Sequence, residues 1–329
     1  MLLVAPAADP VDFAILGAGA IGSIMGAHLA HAGHRVVMLA RGARAQQIER
    51  DGLRTTGLSG LSQRVAVLTD PSQLRAAAVL VIATKPYGTD AALAPLHAAK
   101  IDVALSIQNG MMKNEQLSAC LGRAAVLGCL ANTSGELLSG GVALFTRNAN
   151  IFVGELDGAD SARAQRIAGT LDAAGVRARA VQNIQSLEWC KFASWVGMMV
   201  LSVTLRAETW KCALDPGGAL LLVRLVREIG SLAQAQGVTL SDQSTLPVAT
   251  LCQGTEQQGV EVVQRFGAEL KISAPEHRMS TLQDLLAGRR LEVEETLGYA
   301  ARVARECGVT LPLLDSFYPL VAALDRTRS

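Results

Sequence analysis

Charge bias is the first thing this chain lacks. Its 329 residues carry 30 Lys plus Arg against 29 Asp plus Glu, which removes the electrostatic case for nucleic acid or an anionic membrane as the main partner. Aromatic residues are scarce as well, at 4%. The longest apolar stretch, 195–205, falls short of the roughly eighteen to twenty residues a bilayer demands, and Ser202 and Thr204 interrupt it. It reads as a buried helix. The six cysteines (120, 129, 190, 212, 252 and 307) form neither a C-x-x-C pair nor a regular framework, which favours reduced thiols in the cytoplasm. They read as small core residues, and Cys190 has no neighbouring His or Cys to support a redox role. Internal repeats and low-complexity segments are absent. Residues 1–10 lack the basic start and the apolar length of a secretory signal and read as a disordered leader.

Apolar residues are plentiful. They make up 50% of a chain long enough for about two domains, each with its own core. Near the start, 13–16 is an apolar strand that runs into Gly17-Ala18-Gly19-Ala20-Ile21-Gly22 and then into a helical pattern, with a second strand at 35–40. This strand, Gly-x-Gly-x-x-Gly and helix is what dinucleotide binding requires. Gly17 permits the tight turn, Gly19 lets the backbone approach a pyrophosphate, and Gly22 lets the helix pack closely while its first N–H groups face the phosphates.

Further strands are expected at 65–69, 78–83 and 103–107, the last two as continuous apolar runs suited to a buried parallel sheet. They end in Thr84-Lys85-Pro86 and Gln108-Asn109-Gly110. Ligands of doubly wound sheets bind outside the carboxyl ends of strands, so Lys85 and Asn109 share a crevice with the glycine loop. Apolar segments in 124–153, separated by 132–135 and 139–141, suggest short strands that extend the sheet. A helix at 160–174 and a strand at 176–181 come next. Beyond about 183 helical periodicity takes over at 186–207, 217–236, 242–270 and 289–307, with Gly237 and Gly308 as stops. The expected fold is α/β: a Rossmann-type dinucleotide-binding domain (11–182) followed by an all-α domain (183–326).

The second strand ends at Arg41 where an NAD site would place Asp or Glu. A guanidinium pairs with a 2′-phosphate, so NADPH is the expected cofactor.

The glycine fingerprint with Arg41, Thr84-Lys85, Gln108-Asn109-Gly110-Met111, Glu188-Trp189-Cys190-Lys191, and Ser280-x-Leu282-Gln283-Asp284 followed by Arg290-x-Glu292 together resemble the ketopantoate reductase (2-dehydropantoate 2-reductase) family over about residues 11 to 324. The resemblance implies NADPH-dependent reduction of a small 2-oxo acid to a 2-hydroxy acid, as in the ketopantoate step of pantothenate biosynthesis, in a cleft between a Rossmann domain and a helical domain. It implies Lys191 as proton donor, Lys85 as a cofactor contact, and Asn109 as a contact to cofactor and substrate. It gives Ser280 the substrate's carboxyl end and places Glu292 near nicotinamide and lysine. The chemistry agrees: hydride delivery leaves negative charge on the ketone oxygen, which an ammonium stabilises and protonates, while a carboxylate orients that lysine.

Two positions depart from the family. Asparagines common four and eight residues after the lysine are here Trp195 and Met199. These line an apolar pocket but cannot replace an amide's paired donor and acceptor to a substrate hydroxyl, so a bulkier or less hydroxylated 2-oxo acid fits better than ketopantoate. Opine-type and 3-hydroxyacid dehydrogenases share the two-domain plan, but the Lys-x-x-Asn pattern of the latter is missing. A non-catalytic NADPH-binding regulator would need neither Lys191 nor Glu292. His28, His31 and His34 lack carboxylate or Cys partners and read as solvent-facing or interdomain residues rather than a metal site. Glu294 and Glu295 read as a solvated helix face. No metal is expected; the sequence does not fix the oligomeric state, although helical second domains often dimerise and a homodimer is compatible with it.

Overall fold

A computed structural model describes residues 11–327, so the leader assigned to residues 1–10 lies outside the described residues. The chain forms two compact units. One runs to Asn109 and resumes over Lys113–Ile184; the other takes Gly110–Met112 and everything from Gln185 onward.

Among the described residues the first unit holds ten strands: β1 (Val11–Leu16), β2 (Val36–Leu39), β3 (Leu53–Gly57), β4 (Ser62–Gln63), β5 (Ala66–Leu68), β6 (Ala76–Ile82), β7 (Lys100–Ser106), β8 (Leu127–Leu137), β9 (Val142–Glu155) and β10 (Ala178–Ala180). Five of them form an all-parallel sheet in the order β5-β2-β1-β6-β7. Strand order reverses on either side of β1, which is the switch point where dinucleotides bind. Burial on both faces explains the unbroken apolar strands. Phe13, Ile15, Met38, Val79 and Val81 belong to one core with Met25 and Leu29 of the first helix, and Ala14, Leu16, Val37, Leu80 and Ile82 to another with Leu93 and Leu117.

The apolar segments in 124–153 do not extend this sheet. They form two long strands, β8 and β9, paired as an antiparallel hairpin within a second sheet, where β9 also pairs β3 and β10 in parallel. Within 139–141, Gly141 closes the bend and its N–H donates to Leu138 O at 2.8 Å. Residues 132–135, expected as a turn, lie inside β8 and carry its register shifts. Ladder pairing with β9 outweighs the weak strand preference of Asn, Ser and Gly there, and the mismatch is absorbed as bulges.

The second unit is helical. Its longest helix, Ile184–Leu205, is apolar almost throughout because most of its circumference is buried. Asp215 caps Pro216–Ala235 by accepting from Gly218 N at 2.8 Å. The single helix expected over 242–270 is two, Val248–Gln253 and Glu256–Ser273, because Gly254 ends the first and a Thr255/Gln258 capping box starts the second. The helix expected from 289 begins only at a π-helical turn, Glu294–Gly298, which continues as Tyr299–Cys307 and stops at Gly308 in the left-handed conformation. Among the described residues no helix is long and apolar enough to cross a membrane.

Candidate active site

The glycine loop divides its three roles cleanly. Gly17 has φ +111°, and a side chain there would meet Ala83 C at 2.7 Å, so both the turn and the neighbouring strand end require glycine. A Cβ at Gly22 would lie 2.1 Å from Gly17 O, within the loop itself. At Gly19 nothing lies within 4 Å of the missing Cβ. The protein's own packing therefore does not demand this glycine. Ala18 is buried, whereas Ala20 and Ile21 are half-buried at the helix start, and Ile21 packs beside Ile24 and Phe145.

Gly17, Ala18 and Gly19 line a cavity of about 310 Å³ together with Arg41, Arg44 and Thr84. Arg41 is exposed, precedes helix Gly42–Asp51, and makes no ion pair among the described residues. Open space over Gly19, helical N–H groups and a free guanidinium suit a dinucleotide carrying phosphates.

Arg44 is a residue that sequence reasoning missed. Its Nε donates to Ala18 O at 2.8 Å, and its two terminal nitrogens donate to Gly141 O at 2.8 Å and Ser23 Oγ at 2.6 Å. It thus joins the glycine loop, the first turn of the helix and the β8–β9 turn. Burial pulls its pKa below the ordinary arginine value, and the charge of Arg54 adds to this. A second Arg three residues after the strand-end Arg41 was the only available signal.

Gln108 has a role that the residue pattern alone does not reveal. Its buried Nε2 donates to Thr84 O at 2.9 Å and Thr89 Oγ1 at 2.7 Å, and its Oε1 accepts from Ser106 Oγ at 2.9 Å. The carboxyl ends of β6 and β7 are stapled together there. Lys85, exposed at the cap of turn Pro86–Gly88, and Asn109, half-buried, flank this staple. Nearby, Lys113 is buried with its ammonium donating to Ser106 O at 3.2 Å and to Cys129 O.

In the helical unit, Lys191 is half-buried on Ile184–Leu205. Trp195 and Met199 come one and two turns on, and Met199, at 1% exposure, is filled into the core. Ser280 is exposed at the first position of helix Ser280–Leu286. Glu292 is buried.

Two of the sequence-based expectations need correction. His28 is neither solvent-facing nor interdomain: it is buried within the first unit, with Nδ1 2.9 Å from Ala174 O and Nε2 2.9 Å from Ser59 Oγ. Only Glu294 of the later acidic pair is exposed, and it accepts from Tyr318. Glu295 is buried and paired with Arg290 at 3.0 Å, because the π-helical turn shifts it off the solvent face. Among the described residues no cluster of His, Cys, Asp or Glu could hold a metal ion.

Comparison with known proteins covers both units. Residues 13–158 match a family model described as ketopantoate reductase PanE/ApbA, and 183–325 match its C-terminal counterpart. A 2-dehydropantoate 2-reductase of Archaeoglobus fulgidus is 28% identical over 311 residues, covering 94% of this chain and 97% of that protein. Among solved structures, a PanE/ApbA family ketopantoate reductase from Ralstonia eutropha superposes with a TM-score of 0.80 at 24% identity, covering 96% of this chain and 99% of the other. D-mandelate dehydrogenase in ternary complex with NADH and anilino(oxo)acetate gives 0.81 at 20% identity, again covering 96% and 99%. At these identities the structures establish the shared fold.

Proposed function

Because this chain belongs to the ketopantoate reductase family, we propose that it is a cytoplasmic NADPH-dependent reductase converting a 2-oxo acid to the 2-hydroxy acid. The observation that carries the finer reading is Arg41: an exposed guanidinium at a helix N-terminus, lining the same cavity as Gly17 and Gly19. A ribose 2′-phosphate is a dianion with three acceptor oxygens, and an arginine beside helical N–H groups is its natural partner. A ribose hydroxyl would instead call for a carboxylate.

In this reading residues 11–182 hold the dinucleotide, with Lys85 and Asn109 contacting it, and residues 183–326 supply the acid and the substrate pocket. Bound NADPH supplies the hydride. Lys191 stabilises the negative charge that develops on the ketone oxygen and gives that oxygen its proton. Glu292 favours the charged form of the lysine and orients it. The Ser280 hydroxyl donates to the substrate carboxylate, and Asn109 bonds substrate as well as cofactor. Trp195 presents an indole one turn from Lys191, which favours a 2-oxo acid with an apolar or bulky side chain over ketopantoate.

The test is NADPH consumption by the purified protein against a panel of 2-oxo acids that includes ketopantoate, alongside fluorescence titration of NADPH and NADH. Turnover is expected with at least one apolar member. Tight NADPH binding without turnover of any member would replace the reductase by a cofactor-binding regulator.

A further inference from the structure

Among the described residues nothing balances the charge of Arg44. A guanidinium has five N–H groups. Arg44 gives Nε to Ala18 O at 2.8 Å, one terminal nitrogen to Gly141 O at 2.8 Å and to Gln47 Oε1, and the other to Ser23 Oγ at 2.6 Å. Every one of these acceptors is neutral. The fifth N–H, on the nitrogen that meets Ser23, has no acceptor among the described residues, and no carboxylate there pairs with the group. Asp51, at the far end of the same helix, is taken by Arg50 and Gln47.

Three features of its setting make that charge costly. Arg44 is half-buried, and a guanidinium drawn from water without an anion loses solvation that neutral oxygens only partly restore. Arg54 adds charge of the same sign, and its own Nε is buried without a partner. It donates to Gly140 O at 3.0 Å, so the two arginines grip neighbouring carbonyls of one turn. Arg44 also stands in the first turn of helix Gly42–Asp51, where the macrodipole opposes a cation and no acid offsets it. Its hydrogen bonds orient the guanidinium without neutralising it.

Resting on the dinucleotide reading, we propose that Arg44 is a phosphate-binding residue: it supplies the counter-charge to the cofactor's pyrophosphate, the part that NADPH and NADH share. Arg44 lines the same cavity as Gly17, Ala18 and Gly19. It is tied to the loop at Ala18 and to the first turn of helix Ala20–His31 at Ser23, and such a loop and turn are where a glycine fingerprint receives the pyrophosphate. The Arg41 side chain has neither tie, which leaves it for the 2′-phosphate. Two arginines three residues apart thus divide the cofactor's anionic groups, one holding what both cofactors carry and the other what only NADPH carries.

Arg44→Gln removes the charge and Arg44→Lys keeps it, while both lose the forked bonds, so comparing them separates charge from scaffolding. The first probe is NADH, which lacks the 2′-phosphate. Its affinity is expected to fall by about tenfold or more in the glutamine variant, and by at least about threefold less in the lysine variant, whose ammonium meets phosphate as a point charge. Added salt should weaken NADH binding less steeply in the glutamine variant than in the native protein. Equal losses in the two variants overturn the proposal, because the fork and not the charge would then matter, and so does an unaltered salt dependence. A loss confined to NADPH overturns it as well, by moving Arg44 to the 2′-phosphate. The second probe is inorganic pyrophosphate, which should raise the melting temperature of the native protein and of Arg44→Lys but not of Arg44→Gln; an equal rise in all three sinks the assignment. If the native protein binds neither NADPH nor NADH, the dinucleotide reading fails, and the melting shift still decides separately whether Arg44 takes pyrophosphate. Should the glutamine variant not fold, pyrophosphate must displace NADH from both the native protein and Arg44→Lys, and failure in either overturns the proposal.

Discussion

Arg44 Nε donates to the carbonyl oxygen of Ala18 at 2.8 Å, so an arginine just past the second strand of the parallel sheet holds the middle of the glycine loop in place. Arg41, on the same cavity, has no such internal duty. The two arginines should separate by experiment. Arg44→Ala is expected to weaken NADPH and NADH binding alike, whereas Arg41→Ala weakens NADPH alone, by about tenfold or more for a lost charge-assisted contact of about 1.5–3 kcal/mol. Fluorescence titration of both cofactors reads this directly. Equal affinity for the two cofactors in the unmodified protein would remove the 2′-phosphate assignment.

Gly19→Ala provides a complementary case. Gly19 has φ −69°, and no protein atom lies within 4 Å of the added methyl, so stability should change by less than about 1 kcal/mol, the scale of an N-cap exchange. NADPH affinity is expected to fall by about tenfold or more as the methyl occupies the pyrophosphate's approach. Unchanged affinity would show that the cofactor does not approach this backbone.

Lys191→Ala should lower turnover about a hundredfold or more while NADPH binding changes little, because general acids commonly contribute a factor of about 10² to 10⁴. A variant with near-normal turnover on its best substrate takes Lys191 out of the reaction.

Both departures from the family asparagines are buried in the helical core, Trp195 at 9% exposure and Met199 at 1%. Met199→Asn would bury an amide at a cost of about 1–3 kcal/mol and should show as lost stability. Trp195→Asn alone is the informative change for substrate. It should raise kcat/KM for ketopantoate relative to a 2-oxo acid lacking the hydroxyl, by about tenfold. Efficient ketopantoate turnover by the unmodified protein would show that other groups bind the hydroxyl.

Gln108→Leu removes an amide that three elements share, leaving Thr84, Thr89 and Ser106 with lost partners. Denaturant unfolding should register a loss of about 1–3 kcal/mol. Cofactor affinity should fall with it, because the ends of β6 and β7 beside Lys85 and Asn109 lose their tie. Undiminished stability would mean that water replaces the amide.

The parallel sheet was legible because burial on both faces leaves its central strands almost wholly apolar, and because the glycine loop commits the chain after β1 to a turn and a helix. The β8–β9 hairpin was not. Its strands are half-exposed, so Asn132 to Gly135 carry turn-like chemistry while long-range pairing with β9 dictates their conformation. Site residues divide in the same way. Arg41 and the glycines are marked by a local pattern, but Arg44 and Gln108 act through hydrogen bonds to residues up to 97 positions away, which no spacing rule encodes. Glu295 escapes helical periodicity for a related reason: one extra residue in a π-helical turn rotates the face on which that periodicity would place it.

Met111 is a buried member of the helical unit's core, although it lies more than seventy residues before the rest of that unit begins at Gln185. The chain visits that core for three residues, Gly110–Met112, then returns to complete the β-rich unit before settling in the helices. No single cut in the polypeptide therefore yields two whole units. A fragment starting at Gln185 would carry an empty socket where the methionine belongs, and expressing the halves separately calls for a graft of that short segment or for co-expression of both pieces.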